Sequence, residues 1–180
     1  MDCGVNFGLS IYYLTTLYPK ARITGFEPSP VVRKIALENI KNNNFSDVEI
    51  LPYALSDKDE KAVFNVSKKD SMSGSLTKRR GSSGDMREIS VHCKRLSAYL
   101  NEPINFLKLD IEGAEDKVLE EAAPLLKNVE HLFCEFHHGN GLPLNRMAKI
   151  LTILDEAGFE VHVGPPASIQ QYTRPQPLSF

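Results

Sequence analysis

The stretch Ile104-Asn105-Phe106-Leu107-Lys108-Leu109-Asp110-Ile111-Glu112-Gly113-Ala114-Glu115 decides the fold. Its apolar first part, Ile104 to Ile111, predicts a buried strand. Gly113 breaks it, and apolar residues at helical spacing then predict a helix from Ala114 to Leu126. The same rhythm recurs on both sides. Upstream, Leu9–Tyr18 has helical spacing and stops at Pro19, Ala21–Phe26 reads as a strand, and Ser29-Pro30 is an N-cap followed by the proline favoured at N1. That helix runs to about Lys41 with Val32, Ile35, Ala36 and Ile40 on one face, and Val48–Leu51 is the next strand. Downstream, His131–Phe136 reads as a strand, Leu144–Ala157 as a helix closed by Gly158, and Phe159–Val163 as a final strand. Strands alternating with helices predict a mostly parallel sheet covered on both faces.

Residues 57–96 break the rhythm. Ala62–Val66 and Ile89–Cys93 alternate like two strands, and between them lie Ser71-Met72-Ser73-Gly74-Ser75-Leu76 and a Lys/Arg/Gly/Ser run. We read an inserted β-ribbon with a mobile loop. Arg95–Leu100 is a short helix, and the proline-bearing tail from Gly164 is expected to be irregular. The 180 residues fit one domain. The chain opens inside a strand-to-helix turn with no apolar run ahead of it. The first strand is therefore expected to be missing and the domain to be N-terminally incomplete.

Composition excludes several classes. Hydrophobic residues make up 42% and charged residues 24%, with a net charge of −2, so a folded core is expected and a basic nucleic-acid-binding face is not. The short basic run Lys78-Arg79-Arg80 reads as a solvated loop. No apolar run is long enough to span a bilayer, and Asp2 and Gly4 stand where a signal peptide would be basic. Three cysteines without metal spacing read as reduced, buried thiols, hence a cytoplasmic chain.

In open α/β sheets, ligands bind beyond the carboxyl ends of the strands. Five polar clusters fall there. In Asp2-Cys3-Gly4-Val5-Asn6-Phe7-Gly8 the glycines permit a tight turn, and the helix that follows points N–H groups at a ligand. Glu27, about 20 residues beyond that turn, suits the two hydroxyls of an adenosine ribose. Ala54-Leu55-Ser56-Asp57, just past the third strand and by itself indistinguishable from an ordinary loop, suits a flat adenine with a polar edge. Asp110 and Glu112 share one side of an extended segment, so they repel unless a ligand, a proton, a cation or Lys108 compensates. Glu135 and His137 share a side by the same alternation, and a histidine near a carboxylate is a candidate general base. The turn is not the G-x-G-x-x-G of nicotinamide proteins.

With these segments in their order, the chain resembles the FkbM family of S-adenosylmethionine-dependent methyltransferases. The resemblance rests on Asp2–Gly8, Phe26-Glu27-Pro28, Ala54–Asp57, Ser73-Gly74-Ser75-Leu76, Leu107–Glu115 and the strand end at Glu135. It implies a Rossmann-like class I methyltransferase sheet and S-adenosyl-L-methionine as cofactor. Transfer to a hydroxyl oxygen of a sugar or secondary metabolite is implied too. It also implies cofactor contacts at Asp2, Gly4, Asn6, Gly8 and Glu27. Pro28, Ala54, Leu55, Ser56 and Asp110 complete the expected cofactor site. Asp110, Glu112 and His137 are the expected catalytic group; His137 is the first choice for the base, with Glu112 and His138 as alternatives. The partner is then a small-molecule or glycan acceptor, with neither nucleic acid nor membrane, and a homo-oligomer stays open. The rival readings are a nicotinamide-dependent oxidoreductase, metal-assisted transfer through Asp110, Glu112, Glu135 and His137, and an inactive fragment.

Overall fold

The computed structural model describes residues 1–67, 74–76, 86–137 and 143–164. Ser71–Ser73, Lys78-Arg79-Arg80, His138 and the tail from Pro165 lie outside the described residues. The elements in chain order are β1 (Asp2–Cys3), α1 (Leu9–Leu17), β2 (Ile23–Phe26), α2 (Pro30–Asn42), β3 (Val48–Leu51), β4 (Tyr53–Ser56), β5 (Lys61–Ser67), β6 (Gly74–Ser75), β7 (Met86–Arg95), β8 (Ile104–Leu109), α3 (Glu115–Ala122), β9 (Val129–Cys134) and α4 (Asn145–Glu156). Short 3₁₀ turns cover Leu96–Tyr99 and Ala123–Asn128.

The main sheet is parallel, in the order β3-β2-β1-β8-β9. Its faces are covered for a simple reason: side chains alternate along each strand. Ile23 packs with Ile11 of α1 and with Ala36 and Ile40 of α2 on one face. Phe26, Leu107 and Leu109 pack with Val118 and Leu119 of α3 and with Ile150 and Leu154 of α4 on the other. Leu107, Leu109, Val118 and Leu119 are fully buried, and burying each such side chain stabilises the fold by about 1.5–3 kcal/mol.

The expected gap at the centre of the sheet is corrected by β1. Asp2 pairs with Gly25 on one side and Lys108 on the other, and Cys3 pairs with Phe26 and Leu109. Two residues hold the central position because ladder partners on both sides satisfy their backbone groups. A second correction concerns Ala54-Leu55-Ser56. They form β4, not a loop. Pro52, which lacks an N–H, follows β3 directly, and the chain turns into a second sheet of order β4-β7-β5-β6. There β4 runs parallel to His92–Arg95, while β5 and β7 form the antiparallel ribbon. The third correction is at Phe159–Val163, which forms no strand. Gly158 (φ 87°) closes α4, the Phe159 N–H bonds to the Leu154 carbonyl, and Val161 and Val163 stay exposed with no ladder partner among the described residues.

The three cysteines are free, and burial raises each thiol above its ordinary pKa. Among the described residues, no helix is long and apolar enough to cross a membrane.

Candidate active site

The chain turns back on both sides of β1, once through α1 to β2 and once from β8, so the crevice beyond its carboxyl end is the switch point of the sheet. A cleft of about 690 Å³, open to solvent, lies there. Gly4, Asn6, Glu27, Pro28, Ala54, Leu55, Asp110 and Glu112 all line it. The ribbon supplies an apolar wall of Phe64, Val66 and Leu76, which sequence reasoning did not assign to the site. Asp2, Gly8, Ser56 and His137 are not among the lining residues.

The glycine turn is built by close approach. The N–H groups of Gly4 and Val5 both bond to the Phe26 carbonyl, at 3.2 and 3.1 Å. Gly4 has φ 94°, and a Cβ there would sit 1.8 Å from the Asp110 carbonyl oxygen, so only glycine lets the turn lie against the end of β8. Asn6 follows at φ 52° and donates its N–H to Glu27 Oε2 at 3.0 Å. Ser29 N–H donates to Glu27 Oε1 at 2.8 Å. Glu27 is 7% exposed, and burial pushes its carboxyl up to about 7 even though these two N–H groups pull the other way.

Below the turn, Asp2 is fully buried. Its carboxylate accepts from Ser10 Oγ at 2.5 Å and lies 3.3 Å from Lys108 Nζ, its cross-strand neighbour. Burial raises its pKa against the pull of Lys108 and Ser10. Lys108 Nζ also donates to the Gly4 carbonyl at 3.1 Å and lies 3.1 Å from Asp110 Oδ2. One ammonium thus compensates two carboxylates and ties β1 to β8. Burial alone would lower its pKa, but Asp2 and Asp110 raise it.

Asp110 and Glu112 do not share one extended side, contrary to expectation. The strand ends at Leu109, and Glu112 (φ 61°) and Gly113 (φ 110°) are both left-handed, because the chain must turn sharply into α3. The two carboxylates therefore have different partners: Asp110 has Lys108, and Glu112 Oε2 lies 3.3 Å from His137 Nε2.

His137 stands at the end of β9 among carboxylates. Nδ1 meets Glu115 Oε1 at 3.0 Å; Nε2 lies 3.9 Å from Glu135 Oε1 and 4.0 Å from Asp110 Oδ1. Burial by itself lowers its pKa, but the hydrogen bond to Glu115 and the charges of Glu112, Glu115 and Asp110 outweigh it and raise the imidazole above its ordinary value. Donor atoms of Asp110, Glu135 and His137 lie within 4.8 Å of one another, a spacing that one cation can bridge, although Lys108 already supplies a positive charge beside Asp110. Glu115 is fully buried, which its place in the first turn of α3 did not reveal. Arg146 escaped the sequence reading as well. It pairs with Asp116 and donates to the Gly113 carbonyl at 2.8 Å. A cation in the first turn of a helix opposes the helix dipole, and that was the available signal.

A family model described as the methyltransferase FkbM domain matches residues 2–161. Methyltransferase 1 of Beauveria bassiana is 27% identical over 190 residues, covering 92% of this chain and 74% of that protein. The 2-O-methyltransferase NoeI of Sinorhizobium fredii is 24% identical, covering 84% of this chain and 70% of NoeI. The crystal structure of methyltransferase FkbM from Methylobacillus flagellatus superposes with a TM-score of 0.55 at 18% identity, covering 84% of this chain. The chain spans 36% of that structure's length, so this likeness concerns the fold. With a matched domain that takes in the glycine turn, Glu27 and the His137 cluster alike, the chain belongs to the FkbM methyltransferase family.

Proposed function

We propose that the chain is an S-adenosylmethionine-dependent O-methyltransferase acting on a hydroxyl of a sugar or secondary metabolite. The observation that carries this reading is the buried Glu27 carboxylate in the lining of the cleft that Asp110 and Glu112 also line. A carboxylate in that place fits a ribose, and the apolar lining from Ala54, Leu55 and Phe64 fits an adenine ring. The name of NoeI supports a hydroxyl acceptor.

When bound, S-adenosylmethionine supplies a methyl group already activated on its sulfonium, which leaves the protein to position the reactants and manage a proton. Glu27 would accept from the ribose hydroxyls, and Gly4, Asn6 and Pro28 would hold the cofactor beside the backbone. Asp110, held by Lys108, would serve its methionine end. Asp2, Gly8 and Ser56 act from behind, shaping the turn, the start of α1 and the edge of the ribbon. His137 Nε2 takes the acceptor's hydroxyl proton, and Glu115 on Nδ1 fixes the ring and its tautomer. Glu112 stabilises the imidazolium that forms. Phe64, Val66 and Leu76 of the inserted segment wall the cleft and help to exclude water. The free thiols, two of them buried, fit a cytoplasmic setting.

Proton acceptance needs the neutral imidazole, whose pKa is raised. The rate therefore rises with pH through that raised value, and in Glu112→Gln the rise moves to lower pH. The test is transfer of labelled methyl from S-adenosylmethionine to a panel of sugars and hydroxylated metabolites. His137→Ala that still binds S-adenosylhomocysteine is expected to lose at least about 100-fold in rate. Transfer to nitrogen acceptors alone, or an undiminished His137→Ala rate, overturns the reading.

A further inference from the structure

The turn between β8 and α3 is strained and is held from three directions. Glu112 is a non-glycine residue at φ 61°, followed by Gly113 at φ 110°. Left-handed geometry at a glutamate persists only where the surroundings impose it. Here Ser75 Oγ, from β6 of the second sheet, donates to the Glu112 carbonyl at 2.6 Å. Arg146, from α4, donates to the Gly113 carbonyl at 2.8 Å while paired with Asp116. The Gly113 N–H donates to Glu115 Oε1 at 2.8 Å, the same oxygen that meets His137. Ser75 is 5% exposed, and the Arg146 and Asp116 side chains are 13% and 9% exposed, so water competes weakly for these bonds.

We propose that Ser75 and Arg146 are positioning residues of the methyl-transfer site: by holding the carbonyls of Glu112 and Gly113 they fix the left-handed turn that sets the Glu112 carboxylate 3.3 Å from His137 Nε2. This rests on the reading of Glu112 and His137 as the acceptor end of the site. The clamp explains why the ribbon and α4, which are far apart in sequence, both reach one turn. It also makes the ribbon part of the chemistry: a shift of β6 changes the charge around His137.

His137 reports the clamp directly, because its protonation depends on what faces it. Those groups are Asp110 and Glu112 from the turn, Glu115 from α3 and Glu135 beside it, with Lys108 of β8 and Arg146 of α4 as the nearby cations. The experiment is an NMR titration of His137 in the cofactor-free chain, with no acceptor required. Glu112→Gln is expected to lower the midpoint. Ser75→Ala is expected to lower it in the same direction, and Ser75→Thr, which keeps the hydroxyl, to restore it. Asp116→Asn combined with Arg146→Met, which removes the buried charge pair together, is expected to act as Ser75→Ala does. Ser75→Ala added to Glu112→Gln is expected to shift it no further, since the clamp acts through Glu112. A midpoint unchanged in both Ser75→Ala and the Arg146 pair, or full additivity with Glu112→Gln, overturns the proposal. If the Arg146 pair does not fold, Arg146→Lys replaces it, keeping a cation beside Asp116. Methyl-transfer rates separate the two claims. An undiminished His137→Ala rate with a non-additive titration refutes the assigned base and leaves the clamp standing.

Discussion

Glu27 is the residue through which pH is expected to control cofactor binding. Burial holds its carboxyl at about 7, far above an ordinary glutamate. The two ribose hydroxyls donate hydrogen bonds, and only the ionised carboxylate accepts through both oxygens, so the ionised form is the one expected to bind. With a free-state pKa of about 7, about one molecule in eleven is ionised at pH 6 and about ten in eleven at pH 8. Affinity for S-adenosylhomocysteine is therefore expected to fall about tenfold from pH 8 to pH 6, or about 1.4 kcal/mol, and about tenfold again at pH 5. Isothermal titration calorimetry measures this, and repetition in buffers of different ionisation enthalpy counts the proton released on binding at pH 6. Glu27→Gln is expected to bind more weakly at pH 8 and to lose the slope. The unbound protein shows the opposite sign. Its folded-state pKa lies above the unfolded value, so the folded state holds the extra proton between about 4.5 and 7, and stability falls as pH rises through that window. Affinity that is flat from pH 6 to 8, or a tenfold slope retained by Glu27→Gln, refutes the reasoning.

Other perturbations test the scaffold. Gly4→Ala places a Cβ 1.8 Å from the Asp110 carbonyl at φ 94°, and a loss of at least about 3 kcal/mol in urea unfolding is expected. Gly8→Ala meets nothing closer than 3.7 Å and is expected to lose only about 1–2 kcal/mol from its φ of 88°; equal losses at the two glycines contradict the close-approach argument. Gly74→Ala brings a Cβ within 2.4 Å of the Phe64 ring on the cleft wall, so weaker S-adenosylhomocysteine binding by calorimetry is expected, with the melting temperature little changed. Leu119→Ala, at a fully buried position between α3 and the sheet, is expected to lose about 2–5 kcal/mol by denaturant titration.

Most of the α/β rhythm is legible in the sequence, because long elements repeat their periodicity over many residues. β8, α2 and α4 are of this kind, and α2 shows its Ser29 cap and Pro30 as well. Short elements defined by their neighbours are not legible. β1 has two residues and no pattern of its own; its partners β2 and β8 make it a strand. β4 is hidden in the same way, since Tyr53–Ser56 becomes a strand only beside β7. Phe159–Val163 shows the reverse error: alternation does not make a strand there, where no ladder partner stands among the described residues. In the site, residue type and strand-end position marked Glu27, Asp110, Glu112 and His137. The partnerships were not visible, because a left-handed backbone at Glu112 redirects its carboxylate to His137 and leaves Lys108 to Asp110 and Asp2. Ser75 and Arg146 bond to backbone carbonyls, which sequence does not display; the only hint was the cation Arg146 in the first turn of a helix.

The central claim is that the cleft beside Glu27 binds an S-adenosyl cofactor. Calorimetric titration of the purified chain with S-adenosylhomocysteine and with NAD, side by side at pH 8, tests it most directly. The predicted result is one-to-one binding of S-adenosylhomocysteine, weakened in Glu27→Gln, with no measurable heat from NAD. Binding of NAD in its place, or S-adenosylhomocysteine binding that Glu27→Gln leaves unchanged, contradicts the account.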